Sequence, residues 1–352
     1  MFLNGLGTAV PPDRYPQREC FNALEASRVY GGLQPRSRAI LRKVLLGDNG
    51  IATRHLSLSP LAEAFHLDPD TLQHRFQQNA PTLATQAAER ALADADCTAQ
   101  DIDAVIISTC TGYLCPGLTS YVAERLGLRP AVFALDLVGQ GCGAAIPNWR
   151  AAEALLAADR AERVLSVCVE VCSAAMYLDD DPGVLVSACL FGDGAGAAVL
   201  AREPAAKARR IEWTTAVSVL KPGQRDTLRF EQRAGMLRNL LTVEVPALAA
   251  EAVEEILAQA LTRAGLSRRD IVGWMLHPGG RDVLKALRSK LALASDDLRW
   301  SAEVLRAHGN VSSASVYFVL QRALAGDAPP GWWWLCSFGA GFSAHGALLK
   351  VQ

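Results

Sequence analysis

Three separated residues have the types expected of a nucleophilic active site: Cys142, His277 and Asn310. A thiolate can attack an acyl carbon once a base takes its proton, and an amide can donate a hydrogen bond to the oxyanion that forms. The alternative for Cys142 is a small core residue, because most cysteines among alanines are buried for packing. The glycines beside it, and the motifs that hold His277 and Asn310, favour a catalytic set.

The elements around these residues explain how they could meet. Cys142 follows an apolar strand (132–138) through a glycine turn into an alanine-rich helix, and the positive end of a helix dipole favours a thiolate. Cys142 is therefore predicted to be a nucleophile near neutral pH. Pro147 predicts a kink in that helix. His277 follows the apolar run 271–276, and Asn310 precedes another helical stretch.

The chain is similar to itself when it is shifted by 169 residues. Residues 91–107 and 260–276 then both have the pattern of a helix, a short polar turn and a buried strand. This predicts an α/β protein built from two duplicated halves, 1–205 and 206–352, with a linker at 201–210. The active site would lie where the halves meet.

Composition narrows the classes of partner. The chain has 352 residues, 50% of them hydrophobic, and a net charge of −1, so neither a nucleic acid nor a membrane surface is expected to bind it. No signal peptide is visible, and nine cysteines are an odd number, so reduced thiols in the cytoplasm are expected. The close cysteine pairs lack CxxC spacing, and no histidine pair accompanies them, so no metal site is predicted.

Taken in order, the motifs resemble the type III polyketide synthases, the chalcone-synthase-like branch of the thiolase-fold condensing enzymes. The resemblance spans nearly the whole chain and is carried by Ser-Thr-Cys-Thr-Gly at 108–112, Gln-Gly-Cys-Gly at 140–143, Leu-Phe-Gly-Asp-Gly at 190–194, His-Pro-Gly-Gly at 277–280, Gly-Asn-Val-Ser-Ser at 309–313 and Phe-Gly-Ala-Gly at 338–341. It implies a five-layered αβαβα fold, a homodimer and an acyltransferase. The implied reaction is iterative, decarboxylative condensation of malonyl-CoA onto an acyl-CoA starter, with no cofactor beyond these thioesters.

The resemblance also implies residue roles. Cys142 would hold the acyl chain, while His277 and Asn310 would donate hydrogen bonds to the thioester oxygen. Phe191 matches a gatekeeper ring at the cavity mouth. Cavity-lining positions are matched by Cys110, Thr111, Cys172, Ala175 and Ser312. Cys115 matches a residue that reaches into the partner's pocket. Arg54 matches a basic residue at the coenzyme A tunnel entrance, or is a solvated surface arginine.

Two departures from the family pattern bear on the substrate. A second gatekeeper phenylalanine is missing, and Arg238 or Asn239 lies near its position. Ala340 replaces a loop proline, which leaves ring closure open. With small residues at 172 and 175, the missing ring predicts room for a fatty acyl starter and an alkylpyrone or resorcinol-type product. Alternatively, Arg238 or Asn239 projects into the cavity and selects a small or polar starter.

Three other functions compete. A ketoacyl-synthase III type enzyme would perform one condensation with an acyl carrier protein, but the motifs at His277 and Asn310 favour the polyketide branch. A papain-like protease uses the same three residue types, yet it expects an aromatic residue after the cysteine, where Gly143 stands. A non-catalytic subunit is disfavoured because all three reactive residues are present.

Overall fold

Strands and helices alternate along most of the chain in this computed structural model, which describes residues 1–207 and 209–352. The strands are β1 Phe2–Ala9, β2 Arg14–Pro16, β3 Thr53–His55, β4 Ala104–Ser108, β5 Phe133–Leu137, β6 Arg163–Glu170, β7 Gly194–Ala201, β8 Ile211–Leu220, β9 Leu228–Arg233, β10 Met236–Leu241, β11 Ile271–Leu276, β12 Gly331–Gly339 and β13 Ser343–Val351. The α-helices are α1 Gln17–Glu25, α2 Arg28–Gly32, α3 Pro35–Leu46, α4 Pro69–Asp94, α5 Leu118–Leu126, α6 Ala145–Ala157, α7 Pro182–Leu190, α8 Val245–Ala264, α9 Arg281–Lys290, α10 Arg299–His308 and α11 Ser315–Ala325.

Nine strands form one mixed sheet in the order β11-β12-β13-β8-β1-β7-β6-β4-β5. Its two halves repeat one pattern, because β4-β6-β7-β1 and β11-β12-β13-β8 each contain one parallel pair followed by two antiparallel pairs. The halves join through a single pairing between Phe2 and Glu212. The predicted duplication is confirmed, with β5 as an extra edge strand of the first half.

The repeated unit begins with the same local structure in each half. After α4, Thr98 and Asp101 form a capping box before β4, and after α8, Ser267 and Asp270 form the same box before β11. Such a box satisfies the free backbone donors of a short helical turn. Because both halves have this box between a helix and a strand, residues 91–107 and 260–276 show the same sequence pattern. The boundary at 205/206 stays a prediction, and Ala208 of the expected linker lies outside the described residues.

The fold has five layers of helices and sheet, and three hydrophobic clusters fill the space between them. The outer clusters pack α4 and α5 on one half-sheet and α8 and α9 on the other, while the central cluster places α6 and α11 between the halves. The two central helices are joined where Trp149 Nε1 donates to the Tyr317 hydroxyl at 3.0 Å. Each central helix follows a short 3₁₀ turn, so α6 begins three residues after Cys142 and α11 begins five residues after Asn310. Within the described residues, no helix is long and apolar enough to span a bilayer.

Candidate active site

A tight turn presents Cys142. β5 ends at Leu137, the chain turns through Gly139 and Gly141 with φ of +84° and +51°, and Cys142 lies in a short 3₁₀ turn, Gly141–Gly143. Gly339 of β12 supports the turn from behind. A Cβ atom at Gly339 would lie 2.6 Å from Gly143 N and 2.9 Å from Cys142 N. A side chain at 339 would therefore push the nucleophile's backbone away.

The predicted kink at Pro147 is wrong. The α-helix begins at Ala145, so Pro147 lies in its first turn, where backbone N–H groups lack intrahelical partners in any helix. In a regular helix, the backbone N–H of residue 147 would donate to the carbonyl of Gly143, but proline has no N–H. This carbonyl instead accepts a hydrogen bond from Ser337 Oγ at 2.9 Å. The helix therefore starts regularly after the cysteine turn.

The Cys142 thiol lies in a mostly apolar interior. Its Sγ is 3.3 Å from Ser312 Oγ, and burial raises the pKa of Cys142 to about 12. Burial therefore opposes the helix effect that favours a thiolate, and the role of Cys142 as a nucleophile near neutral pH stays a prediction. Desolvation penalises the charged sulfur, and the α-helix begins only three residues later, after the intervening 3₁₀ turn. The raised pKa favours the neutral thiol until a substrate or base changes its surroundings.

His277 follows β11 and is 1% exposed. Its backbone N–H donates to Cys336 O at 3.0 Å, and its ring packs edge to face on Phe338, with 5.1 Å between centroids. Burial lowers the pKa of His277 to about 3, so the imidazole is neutral near pH 7. Among the described residues, Nδ1 is buried and has no hydrogen-bond partner. A neutral imidazole has one N–H donor and one acceptor nitrogen, and the unpaired Nδ1 leaves one of them for a ligand.

Hydrogen bonds orient the Asn310 amide. Its Nδ2 donates to Gly279 O at 3.1 Å, and its Oδ1 accepts from Ser312 N at 2.9 Å. One hydrogen of Nδ2 remains for a ligand. Since Gly279 N donates to His277 O and Ser312 Oγ touches the Cys142 thiol, a continuous chain of contacts joins all three predicted catalytic residues.

Glu170, which the sequence analysis missed, lies behind this site at the end of β6. The carboxylate is fully buried and accepts from Cys110 N at 3.1 Å, Thr111 Oγ1 at 2.9 Å and Ser312 Oγ at 3.3 Å. Burial raises the pKa of Glu170 above its ordinary value. The sequence did contain a signal for this residue, because an acidic side chain directly after the apolar run 164–169 is expected to be buried. A buried charge requires hydrogen-bond partners, which indicates a polar site.

A cavity opens beside these residues with an empty volume of about 480 Å³. Five of the predicted lining residues form part of its wall: Thr111, Cys172, Ala175, Phe191 and Ser312. Cys110 stands behind the wall, where its Sγ lies 3.3 Å from Ser312 Oγ. Phe191 is tied to the catalytic region, because Asn310 N donates to Leu190 O and Gly192 N donates to Asn310 O.

The hairpin of β9 and β10 resolves the choice between Arg238 and Asn239. Asn239 lines the cavity, together with Phe230, its cross-strand partner. Arg238 is engaged by carboxylates, with Nε 2.8 Å from Asp179 Oδ2. The cavity therefore keeps a second ring, from a residue that the sequence analysis did not single out, and the expected extra room at this position is absent.

Arg54 and Cys115 lie elsewhere. Arg54 is 3% exposed, and its guanidinium donates to the carbonyls of Ala188 and Phe191 at 2.9 Å each, so it supports the gatekeeper segment from inside. The alternative of a solvated surface arginine is therefore wrong, and a role at the coenzyme A tunnel entrance stays a prediction. Cys115 is an exposed free thiol in the loop before α5. Its reach toward a partner stays a prediction.

A second cavity, of about 380 Å³, lies under α1 and α3 and shares Leu56, Met176 and Ala188 with the first. Its remaining wall is almost entirely apolar, formed by Cys20, Leu24, Leu41, Leu45, Leu61, Ala64, Phe65, Leu178 and Cys189, with Arg54 at one side. In the part of the chain that the structure describes, no cluster of histidine, cysteine or acidic side chains could hold a metal ion.

Known proteins resemble this chain along its whole length. Residues 17–259 match the family of FAE1/type III polyketide synthase-like proteins, and residues 213–351 match the C-terminal domain of chalcone and stilbene synthases. A 1,3,6,8-tetrahydroxynaphthalene synthase of Streptomyces peucetius subsp. caesius is 34% identical over 97% of this chain and 91% of its own length. A 3,5-dihydroxyphenylacetyl-CoA synthase of Streptomyces toyocaensis is 30% identical over 98% and 89%.

Solved structures agree on the fold. The crystal structure of 1,3,6,8-tetrahydroxynaphthalene synthase from Streptomyces coelicolor A3(2) has a TM-score of 0.89 and 25% identity, and covers 100% of this chain and 99% of that one. The type III polyketide synthase domain of Steely1 from Dictyostelium has a TM-score of 0.90 at 24% identity, with 99% and 98% covered. The papain-like alternative is thereby removed, and the fold is thiolase-like. The chain belongs to the type III polyketide synthase family.

Proposed function

We propose that this polyketide synthase loads an acyl-CoA starter on Cys142 and extends it with malonyl-CoA, using His277 and Asn310 as hydrogen-bond donors. The observation that carries the proposal is the contact chain from the Cys142 thiol through Ser312, Asn310 and Gly279 to His277. It holds a nucleophile, a base and an amide donor together, and Ser312 within it lines the first cavity, which is the arrangement that acyl transfer requires.

In loading, His277 takes the Cys142 proton as Sγ attacks, because transfer before the attack would run from a thiol of raised pKa to an imidazole of lowered pKa. Sγ attacks the thioester carbonyl of the starter, the bond from that carbon to the coenzyme A sulfur breaks, and the departing thiolate takes the proton from the imidazolium. The neutral imidazole keeps one N–H. Once the departing thiolate has taken the proton, the neutral ring is again a donor for the next step.

Extension uses the same donors. When malonyl-CoA loses carbon dioxide, the electron pair of the broken carbon–carbon bond moves toward the thioester oxygen and forms an enolate. The free hydrogen of Asn310 Nδ2 and the N–H of His277 stabilise that oxygen. The enolate carbon then attacks the thioester on Cys142, which releases the sulfur and leaves a chain two carbons longer on coenzyme A. Return of that chain to Cys142 starts another cycle.

The starter in this proposal is a fatty acyl chain, and the product is an alkylpyrone or resorcinol-type ring. The apolar second cavity supports it, because it shares Leu56, Met176 and Ala188 with the first, and a passage opened between these side chains would admit an alkyl tail. Each buried methylene contributes about 0.8 kcal/mol. Selectivity should therefore rise with chain length until the second cavity is filled.

The test compares acetyl-, hexanoyl-, decanoyl-, palmitoyl- and coumaroyl-CoA in the wild type, Ala188→Val and Ala188→Phe. We expect kcat/KM to peak at a long alkyl starter in the wild type. The Phe ring should close the passage and move the peak to a shorter chain, with Val intermediate. A wild-type maximum at acetyl- or coumaroyl-CoA, or a peak that Ala188→Phe leaves in place, would reject the fatty acyl starter.

The proposal includes a cytoplasmic homodimer. All nine cysteines are free thiols, which fits a reducing compartment. Edge strand β5 leaves Phe133 51% exposed, and Val138 and Tyr113 nearby are 67% and 71% exposed, which are large apolar surfaces for a monomer. Light scattering should give twice the monomer mass for the wild type and the monomer mass for Phe133→Asp. A monomeric wild type would contradict the dimer.

A further inference from the structure

The β9–β10 hairpin has two chemically different faces. On one face Phe230 and Asn239, which pair across the strands, line the first cavity. On the other face Glu231 and Arg238 also pair across the strands, and Arg238 Nη1 lies 2.8 Å from Glu231 Oε1. Side chains alternate along a strand, so the register of the hairpin decides which residue reaches the cavity.

Arg238 fixes that register. Its side chain is 8% exposed and meets three carboxylates, with Asp179 at 2.8 Å and Asp181 at 3.3 Å in addition to Glu231. Asp181 also caps α7, the helix that leads to Phe191. The hairpin is therefore held against the cavity wall by an ion-pair cluster, and Asn239 is directed inward.

The Asn239 side chain has a hydrogen-bond acceptor without a partner. The residue is 7% exposed, and its Oδ1 is buried with no hydrogen-bond partner among the residues that the structure describes. Buried carbonyl oxygens are nearly always paired, so an unpaired one in a cavity wall indicates a partner that arrives with the ligand. Phe230 beside it offers an apolar face.

We propose that Asn239 is a specificity-determining residue that accepts a hydrogen bond from a hydroxyl group of the bound acyl chain. The proposal rests on the proposed function. The fatty acyl starter has no such donor, but each extension adds a β-carbonyl whose enol form has one. Asn239 would therefore hold the extended, oxygen-rich part of the chain in the first cavity, with Phe230 packing on its flat enol segment, while the alkyl tail occupies the second cavity.

The test uses Asn239→Leu, which has a similar volume and no acceptor, and Asn239→Thr, which restores an acceptor in a residue suited to a strand. The matched control is Gln232→Leu, an amide-to-leucine change on the same hairpin at a solvent-exposed position. The measured quantity is the ratio of fully extended product to early-released product from decanoyl-CoA. Loading of Cys142 is followed separately by intact mass, and folding by thermal unfolding.

Asn239→Leu should load normally but lower the product ratio about tenfold, the effect of one lost hydrogen bond in a dry site. Asn239→Thr should recover part of the ratio, and Gln232→Leu should match the wild type. A second arm compares kcat/KM for 3-hydroxydecanoyl- and decanoyl-CoA: if Asn239→Leu changes this preference and not the product ratio, the donor is a starter hydroxyl.

Two negative results have different meanings. If the folded, loaded Asn239→Leu enzyme keeps both the product ratio and the starter preference of the wild type, the assignment of Asn239 is overturned. If the wild type itself forms no acyl adduct on Cys142 with any starter, the proposed function fails before Asn239 is tested.

Discussion

At the residue scale, burial favours the neutral forms of the two reactive groups. The pKa of Cys142 is raised to about 12 and that of His277 is lowered to about 3, both by burial. The motifs predicted which residues meet, because glycine turns and helix starts leave local signals. They could not predict the state of the thiol, since desolvation depends on packing by distant segments. Glu170 was missed although an acidic residue at the end of an apolar run indicates a buried carboxyl group with partners.

Asn310→Asp should slow release of carbon dioxide from malonyl-CoA by about 10²-fold, because a carboxylate replaces a donor with an acceptor that repels the enolate oxygen. Decarboxylation without a starter, followed with labelled malonyl-CoA, measures this step alone. Asn22→Asp, the same change at an exposed position on α1, is the matched control. Release at the wild-type rate from folded Asn310→Asp protein would contradict the role of the amide.

At the element scale, the apolar strands beside the reactive residues were predictable, and the cavity hairpin was not. The predicted apolar strand 132–138 corresponds to β5, and the run 271–276 is β11, because continuous apolar segments show their limits in the sequence. The hairpin residues Phe230, Arg238 and Asn239 show no such pattern. Their orientation depends on a cross-strand register and on ion pairs with α7 and the loop before it, which only the structure gives.

Gly339→Ala tests how β12 supports the nucleophile. The new methyl group would lie 2.6 Å from Gly143 N, so the cysteine turn must move. A displacement of about 1 Å is enough to lower acyl loading about 10²-fold. Gly223→Ala is the control, because a Cβ there meets nothing within 4 Å. If Gly339→Ala loads Cys142 as fast as the control variant does, the close approach has no catalytic importance.

At the scale of the whole molecule, a large core places several ionisable groups out of water. Burial lowers the pKa of His277 to about 3 and those of His308 and His345 to about 4, from 6.5. The unfolded chain therefore binds these protons first as the pH falls below 6.5, and the free energy of unfolding decreases with acid. The raised pKa values of Glu170 and Asp193 act in the opposite direction.

His345→Gln tests how one buried histidine contributes to the pH dependence of stability, at a position outside the proposed catalytic set. His345 Nδ1 lies 2.9 Å from Ser218 Oγ, a contact that a glutamine amide can keep. Between about pH 7.5 and about pH 5, the wild type should lose about 2 kcal/mol more unfolding free energy than the variant, at about 1.4 kcal/mol per pKa unit. Urea unfolding at both pH values measures this difference. Equal losses would show that His345 is not held neutral by the fold.

The central claim is that one thiol carries the chain and separate donors stabilise the enolate. Cys142→Ala removes the thiol and leaves His277 and Asn310 in place, so the two roles should separate. Intact mass spectrometry after incubation with acyl-CoA should show the starter adduct on the wild type and none on Cys142→Ala, while the variant still releases carbon dioxide slowly from malonyl-CoA. A starter adduct on the Cys142→Ala protein would contradict the account directly.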